Sequence, residues 1–144
     1  DGSGYADAVH RALDRSVSAG TRITYRGHVG FNELDREYAD AEVFVFASSC
    51  ENMPNILLEA MSSGLPIACA RRGPMPEMLS DAGVYFDPER PSEIAAALRL
   101  LAKDDQLRRR CAEQAVELSK DFSWRRCARD TFRFLTDVAN DKAS

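Results

Sequence analysis

Glu51 and Glu59 stand eight positions apart, and Pro54 lies between them in the stretch Glu51-Asn52-Met53-Pro54-Asn55-Ile56-Leu57-Leu58-Glu59-Ala60-Met61. Proline suits the first position of a helix, where its missing N–H would have no partner in any case. The free N–H groups of the residues that follow point out of the helix end, where the backbone dipole is positive. Such an end is a ready anion site. Glu59 is about five residues into the helix, roughly 7–8 Å along its axis at about 1.5 Å per residue, and its Cβ tilts back toward the helix start. A diphosphate held on the helix end would therefore bring an attached ribose near Glu59. Glu51 would face whatever the diphosphate carries on its other side. The pair also admits plainer readings. A glutamate before a helix simply complements the dipole, and one inside a helix is usually solvated. A glycosidase acid and base pair is another use for two carboxylates, but it leaves the anion site between them without a purpose.

The elements that must position this stretch follow from pattern. Val43-Phe44-Val45-Phe46 is a continuous apolar run whose length and β-branching suit a strand buried on both faces. A loop over 48–52 and a helix from Pro54 to about Ser63 follow, with Gly64 as its stop and Pro66 just beyond. Upstream, a helix is expected over Tyr5–Ala19, with Val9, Leu13 and Val17 on one stripe and Gly20 at its end. A short strand is expected at Ile23–Tyr25 and a short helix over Phe31–Ala39. Downstream come a strand over Pro66–Ala70, a helical turn over Glu77–Ser80 and a strand over Val84–Phe86. Three helices then close the chain: Pro91–Leu101, about Asp105–Lys120, and a last one capped by Ser123. The apolar face of the last is Trp124, Cys127 or Ala128, Thr131, Leu135 and Val138. Alternating strands and helices define an α/β class, with a Rossmann-like, mostly parallel sheet flanked by helices.

Composition narrows the function. The 144 residues suit a single domain, and 44% are hydrophobic, enough for a core. The net charge of −4 argues against a nucleic-acid partner. No apolar run approaches the roughly 18 residues of a membrane span, and no secretion signal is evident. Cys50, Cys69, Cys111 and Cys127 are widely spaced, which reads as reduced thiols without a zinc site. The expected location is the cytoplasm, with a peripheral seat at the inner membrane face left open. The opening Asp1-Gly2-Ser3-Gly4 reads as the middle of a loop in a longer protein.

In open α/β sheets ligands bind beyond the C-terminal ends of the strands. Three loops are expected there: Gly27-His28-Val29, Ser48–Asn55 and Arg71-Arg72-Gly73. A lone loop histidine is more often structural, and Arg71 and Arg72 suit either an anion or water. Arg108-Arg109-Arg110 and Arg125, Arg126, Arg129 and Arg133 could meet an acidic membrane surface. Interspersed Glu113, Glu117, Asp121 and Asp130 favour a solvated face instead. Gly2-Ser3-Gly4 is no dinucleotide fingerprint, since Asp7 stands where a third glycine belongs. No Asp-x-Asp pair stands beside the glutamates, and the only lysines are Lys103, Lys120 and Lys142. A leaving diphosphate would need cationic stabilisation, and this stretch does not supply it.

The motif Ser49-x-Glu51-x7-Glu59-Ala60-Met61-x-x-Gly64-x-Pro66 resembles the Glu-x7-Glu segment of GT-B fold glycosyltransferases of the large retaining family called family 4. Gly27-x-Val29, Gly73-x-x-Pro76-Glu77, Ala82-Gly83-Val84-Tyr85-Phe86-Asp87-Pro88 and Phe122-Ser123-Trp124 support the likeness, which covers nearly the whole chain. The resemblance implies that residues 1–144 are a single partial domain, the donor-binding C-terminal half. The N-terminal acceptor domain and the first strands, with their Arg and Lys, would be absent. It implies transfer from a nucleotide-sugar, UDP- or GDP-linked, to a glycan, lipid or small-molecule acceptor with retention of configuration and no metal or other cofactor. Glu51 would hold the donor sugar as the catalytic carboxylate. Met53, Asn55 and Ile56 would meet the sugar or diphosphate, Glu59 the ribose, and Gly27, His28 and Val29 the base. Pro54 departs from the Gly-rich segment common in the family and removes one donor. In the family's strand order the strand at Ile23 would be parted from that at Val43. Either the two close up, or a companion polypeptide or oligomer completes the sheet. The fragment alone is expected to be inactive. A nucleotide-sugar epimerase of the same fold and a non-catalytic α/β binding module are the rival readings.

Overall fold

The computed structural model describes residues 3–18 and 23–141. The chain divides into two compact units, Asp1–Leu34 and Asp35–Ser144. In the first, α1 spans Ser3–Ser18, and Val9 and Leu13 of its expected stripe are half-buried. The stop at Gly20 and the side chain of Val17 lie outside the described residues. The strand expected at Ile23–Tyr25 does not form. Residues 23–27 are irregular, and Ile23 and Tyr25 are exposed. A strand persists only when a neighbour satisfies its N–H and C=O groups, and no described strand pairs with this segment. Helix α2 spans Phe31–Asp40 and is opened by a Glu33 N–H that donates to the Gly30 carbonyl at 2.9 Å.

The second unit is built on three parallel strands: β1 (Phe44–Phe46), β2 (Ile67–Ala70) and β3 (Gly83–Phe86), in the order β1-β2-β3. Phe44 pairs with Ile67 and Phe46 with Cys69, while Ile67 faces Gly83 and Ala70 faces Phe86. All four residues of β2 are buried, as a strand paired on both edges and covered on both faces must be. β1 differs from its expectation: Val45 is 39% exposed. Val45 points to the face opposite Phe44 and Phe46, so the exposure falls on one face of β1 while buried Phe46 holds the other.

Helices α3 (Asn55–Ser62), α4 (Met75–Leu79), α5 (Pro91–Lys103) and α6 (Asp105–Ser119) follow the pattern read from sequence. α6 packs against α3, α4 and α5, and α5 also packs on β2 and β3. Leu57, Met61, Ile67, Met75, Leu79, Phe86 and Leu101 form the heart of one apolar core. Cys69 and Cys111 are buried free thiols, and burial pushes Cys69 up to about 12. Asp104 caps α6 by accepting from the Leu107 N–H at 2.9 Å. α7 (Trp124–Asp141) starts as expected, with the Ser123 hydroxyl accepting from the Arg126 N–H at 3.2 Å. Its apolar face stands open: Trp124, Phe132, Phe134, Leu135 and Val138 are all exposed. No described helix is long and apolar enough to cross a membrane.

Gly83 starts β3 in the tightest spot of this core. A Cβ there would collide with the Leu79 side chain and come within 3.2 Å of the Ile67 carbonyl. Both neighbours are fully buried and cannot retreat. Gly83→Ala should therefore lower unfolding stability by about 1–3 kcal/mol, read as a lower urea midpoint at unchanged slope.

Candidate functional site

Because the three strands are parallel, their C-terminal ends share one edge, and the loops after Phe46, Ala70 and Phe86 leave it together. These loops lock onto one another. Gly73, at φ 47, lies so close to the first loop that a Cβ would be 3.4 Å from the Glu51 carbonyl. Only glycine takes that φ without strain. The Arg71 N–H donates to the Phe86 carbonyl at 2.9 Å. Arg72 pairs with Asp87 at 3.1 Å, and the Asp87 N–H donates to Glu93 at 2.9 Å. The Arg71 guanidinium lies 4.7 Å from the centre of the Tyr85 ring. Of the two arginines considered as anion ligands, one is thus tied to a carboxylate and the other rests on an aromatic face.

Glu51 is half-buried on this edge, five residues beyond β1, and Met53, Asn55 and Ile56 are exposed just after it. The helix start is shifted by one residue from expectation. Pro54 is the cap, with φ −77 and ψ 90, and α3 begins at Asn55. The Pro54 carbonyl accepts from Leu57 at 3.1 Å and from Leu58 at 3.2 Å. The N–H groups of Asn55 and Ile56 precede these and have no helical acceptor. They are the donors that a helix-end anion would meet. Pro54 itself is buried, which anchors the start of α3, while Asn55 and Ile56 are exposed. The other end is held as firmly. Gly64, at φ 73, and Leu65 donate to the Met61 and Ala60 carbonyls in a Schellman arrangement.

Glu59 lies within α3 and is half-buried, between buried Leu57 and Ala60. Its carbonyl accepts from the Ser63 N–H at 3.0 Å and from the hydroxyls of Ser62 and Ser63. Its carboxylate accepts from the Tyr38 hydroxyl at 2.9 Å through Oε2. Burial, then the bond to Glu59 and its negative charge, push the Tyr38 phenol up to about 12. Tyr38 is the site residue the sequence did not reveal. It belongs to α2, 21 positions before its partner, and only the tertiary fold joins them.

Two further placements matter. Gly27, His28 and Val29 lie in the first unit, with Gly27 at φ 64 and open space where a Cβ would stand. On the other side of Met53 and Asn55 opens a cleft of about 680 Å³. Leu58, Phe122, Trp124, Arg126 and Cys127 line it, but neither Glu51 nor Glu59 does. This cleft therefore adjoins the helix start without containing the carboxylates. Among the described residues no cluster of histidine, cysteine, aspartate or glutamate could hold a metal ion.

A parallel three-stranded sheet flanked by helices is the architecture of a GT-B, Rossmann-like fold. The family described as Glycosyl transferases group 1 matches residues 2–104, and the chain belongs to it. The chain is 35% identical over 132 residues to the O-antigen chain mannosyltransferase B of Escherichia coli, covering 90% of this chain and 35% of that protein. It is 33% identical over 135 residues to a D-inositol 3-phosphate glycosyltransferase of Corynebacterium glutamicum, covering 92% and 32%. A sulfoquinovosyl transferase of Arabidopsis thaliana is 32% identical over 111 residues, covering 74% and 22%. Among solved structures, the sucrose-phosphate synthase of Thermosynechococcus elongatus superposes with a TM-score of 0.77 at 21% identity, over 91% of this chain and 34% of that one. The chain thus spans about a third or less of the relatives it matches.

The buried Tyr38 phenol, bonded to Glu59, has a pH signature. The folded phenol holds its proton to about 12, against an ordinary 10.0. A pKa raised on folding contributes stability that is full below the unfolded value and is lost as pH rises through the folded one. Between pH 10 and about 12, wild type should lose urea stability faster than Tyr38→Phe. Parallel profiles of the two proteins would remove Tyr38 from this account.

Proposed function

We propose that the protein carrying this chain transfers a sugar from a nucleotide-diphosphate sugar to an acceptor with retention at the anomeric carbon, and that residues 1–144 are its donor-binding part. The relatives' names support sugar transfer, and the α3 start carries the donor assignment. Asn55 and Ile56 lead that helix with N–H groups free of helical partners. They would receive the diphosphate, aided by the positive end of the dipole. Glu59, more than one turn further on, would accept from the ribose hydroxyls. Glu51, before the helix, would hold hydroxyls of the sugar beside the scissile bond, with Met53 against the same group.

The chemistry asked of these groups is positioning and charge stabilisation. As the bond from the sugar to the diphosphate breaks, negative charge grows on the phosphate oxygens, and donors already aimed there stabilise the transition state. Pro54 contributes no N–H, so in this protein the helix start offers the diphosphate one donor fewer than a glycine would. We propose that the remaining charge is met by arginine or lysine carried outside residues 1–144, without a resident metal. The acceptor, a glycan, lipid or small molecule, would be bound there as well. Closure of the two parts would exclude water from the reacting centre.

The two carboxylates separate experimentally in the full-length protein. Glu59→Ala should weaken UDP or GDP binding by about 10- to 100-fold, the loss of a hydrogen bond to a charged group, measured by titration calorimetry. Glu51→Ala should leave that affinity within about 2-fold while lowering kcat by about 100-fold or more, since it would act on the sugar and in the transition state. Unchanged nucleotide affinity in Glu59→Ala removes the ribose role. An unchanged kcat in Glu51→Ala removes the sugar role.

A further inference from the structure

Glu59 is held at both its backbone and its side chain. Its backbone is fixed by the Ser62 and Ser63 bonds to its carbonyl and by the fully buried Leu57, Ala60 and Met61 around it. Its side chain is fixed by a residue from another helix, Tyr38 of α2, whose hydroxyl lies 2.9 Å from Oε2. Tyr38 is itself braced. Its ring meets Phe44 of β1 edge-on, with centroids 6.0 Å apart at 61°. Phe44 in turn stacks with Phe46 at 6.2 Å and 16°. A three-ring ladder thus ties the hydroxyl to the sheet, and the hydroxyl ties the carboxylate.

Resting on the ribose reading of Glu59, we propose that Tyr38 is a positioning residue for nucleotide recognition: its hydroxyl locks one carboxylate oxygen of Glu59 and leaves the other to accept from the ribose. The chemistry is complementary. An ionised carboxylate only accepts, through two oxygens with about four lone-pair sites. Tyr38 occupies one site on Oε2 and leaves Oε1 whole. A ribose offers two neighbouring hydroxyl donors. A free glutamate would have to give up rotamer freedom to receive them, and Tyr38 has already removed that freedom, so the cost is not charged to binding. The phenol keeps its proton to about 12, so it is a donor at any working pH. The role is specific to a ribose: a nucleotide lacking both hydroxyls gains nothing from a well-aimed carboxylate.

The test uses the full-length protein, with UDP and GDP and their 2′,3′-dideoxy counterparts as probes. Four proteins are compared: wild type, Tyr38→Phe, Glu59→Ala and the double variant. Tyr38→Phe should weaken the ribonucleotide about 5- to 10-fold and change the dideoxy form by less than 2-fold. In the Glu59→Ala background, Tyr38→Phe should have no further effect, the mark of a residue that acts only through its partner. Equal losses for ribo and dideoxy nucleotides, or additive losses in the double variant, would overturn the proposal and leave Tyr38 a packing residue. A loss in Glu59→Ala with none in Tyr38→Phe overturns it while the ribose reading stands. No loss in Glu59→Ala, or no binding of either nucleotide by wild type, defeats the ribose reading and the proposal with it. Should Tyr38→Phe not fold, 3-fluorotyrosine at position 38 keeps the ring and strengthens the donor. It should tighten only the ribonucleotide, and equal effects on both forms would overturn the proposal.

Discussion

The organisation of this site depends on one strand. β2 is buried along its whole length and hydrogen-bonded on both sides to parallel neighbours. Parallel pairing fixes the direction of β1 and β3, so the loops that leave their C-terminal ends must emerge on one edge. The register then brings them into contact. Gly73 lies against the Glu51 carbonyl, Arg71 bonds to Phe86, and Arg72 pairs with Asp87. The exposed Arg72–Asp87 pair contributes little stability by itself. Its importance is geometric, because it ties the second loop to the third while Gly73 packs the second against the first. A change that loosened β2 would therefore disturb the helix start and Glu51 together.

The second requirement is a helix held at both ends. α3 is only eight residues long, and a free peptide of that length would be largely unfolded in water. Its order comes from tertiary burial of Leu57, Ala60 and Met61 and from the Gly64 termination. With the ends fixed, the N–H groups of Asn55 and Ile56 and the carboxylate of Glu59 keep a constant separation. The first two residues of the helix and the fifth then form a rigid ruler, on which the proposed donor would set its phosphate and ribose. Tyr38 extends that rigidity from the backbone to the Glu59 side chain, and β1 supplies its brace through Phe44.

Local pattern made most of this readable. The Glu51–Glu59 spacing, the proline and the Gly64 stop are short-range signals, and the structure realises each within a residue. Ser123 is a cap by the same logic and bonds as one. What the sequence did not carry was non-local. Ile23–Tyr25 has strand-forming residues but no described strand to pair with, and it remains irregular. The apolar run at Val43–Phe46 reads as buried on both faces, yet the face that carries Val45 is open. Pro54 moved from first turn to cap, because its ψ of 90 is extended rather than helical. Tyr38 was invisible as a site residue because 21 positions separate it from Glu59. The cleft at Trp124 forms only when the α7 start comes beside Met53 and Asn55.

The central claim is that the start of α3 receives a nucleoside diphosphate with its ribose toward Glu59. A crystal structure of the full-length protein with bound UDP or GDP tests it most directly. The account predicts phosphate oxygens within hydrogen-bond distance of the Asn55 or Ile56 N–H and a ribose hydroxyl on the Glu59 carboxylate, with the Tyr38 bond intact. A nucleotide seated instead in the Trp124 cleft, or away from α3 altogether, would contradict it.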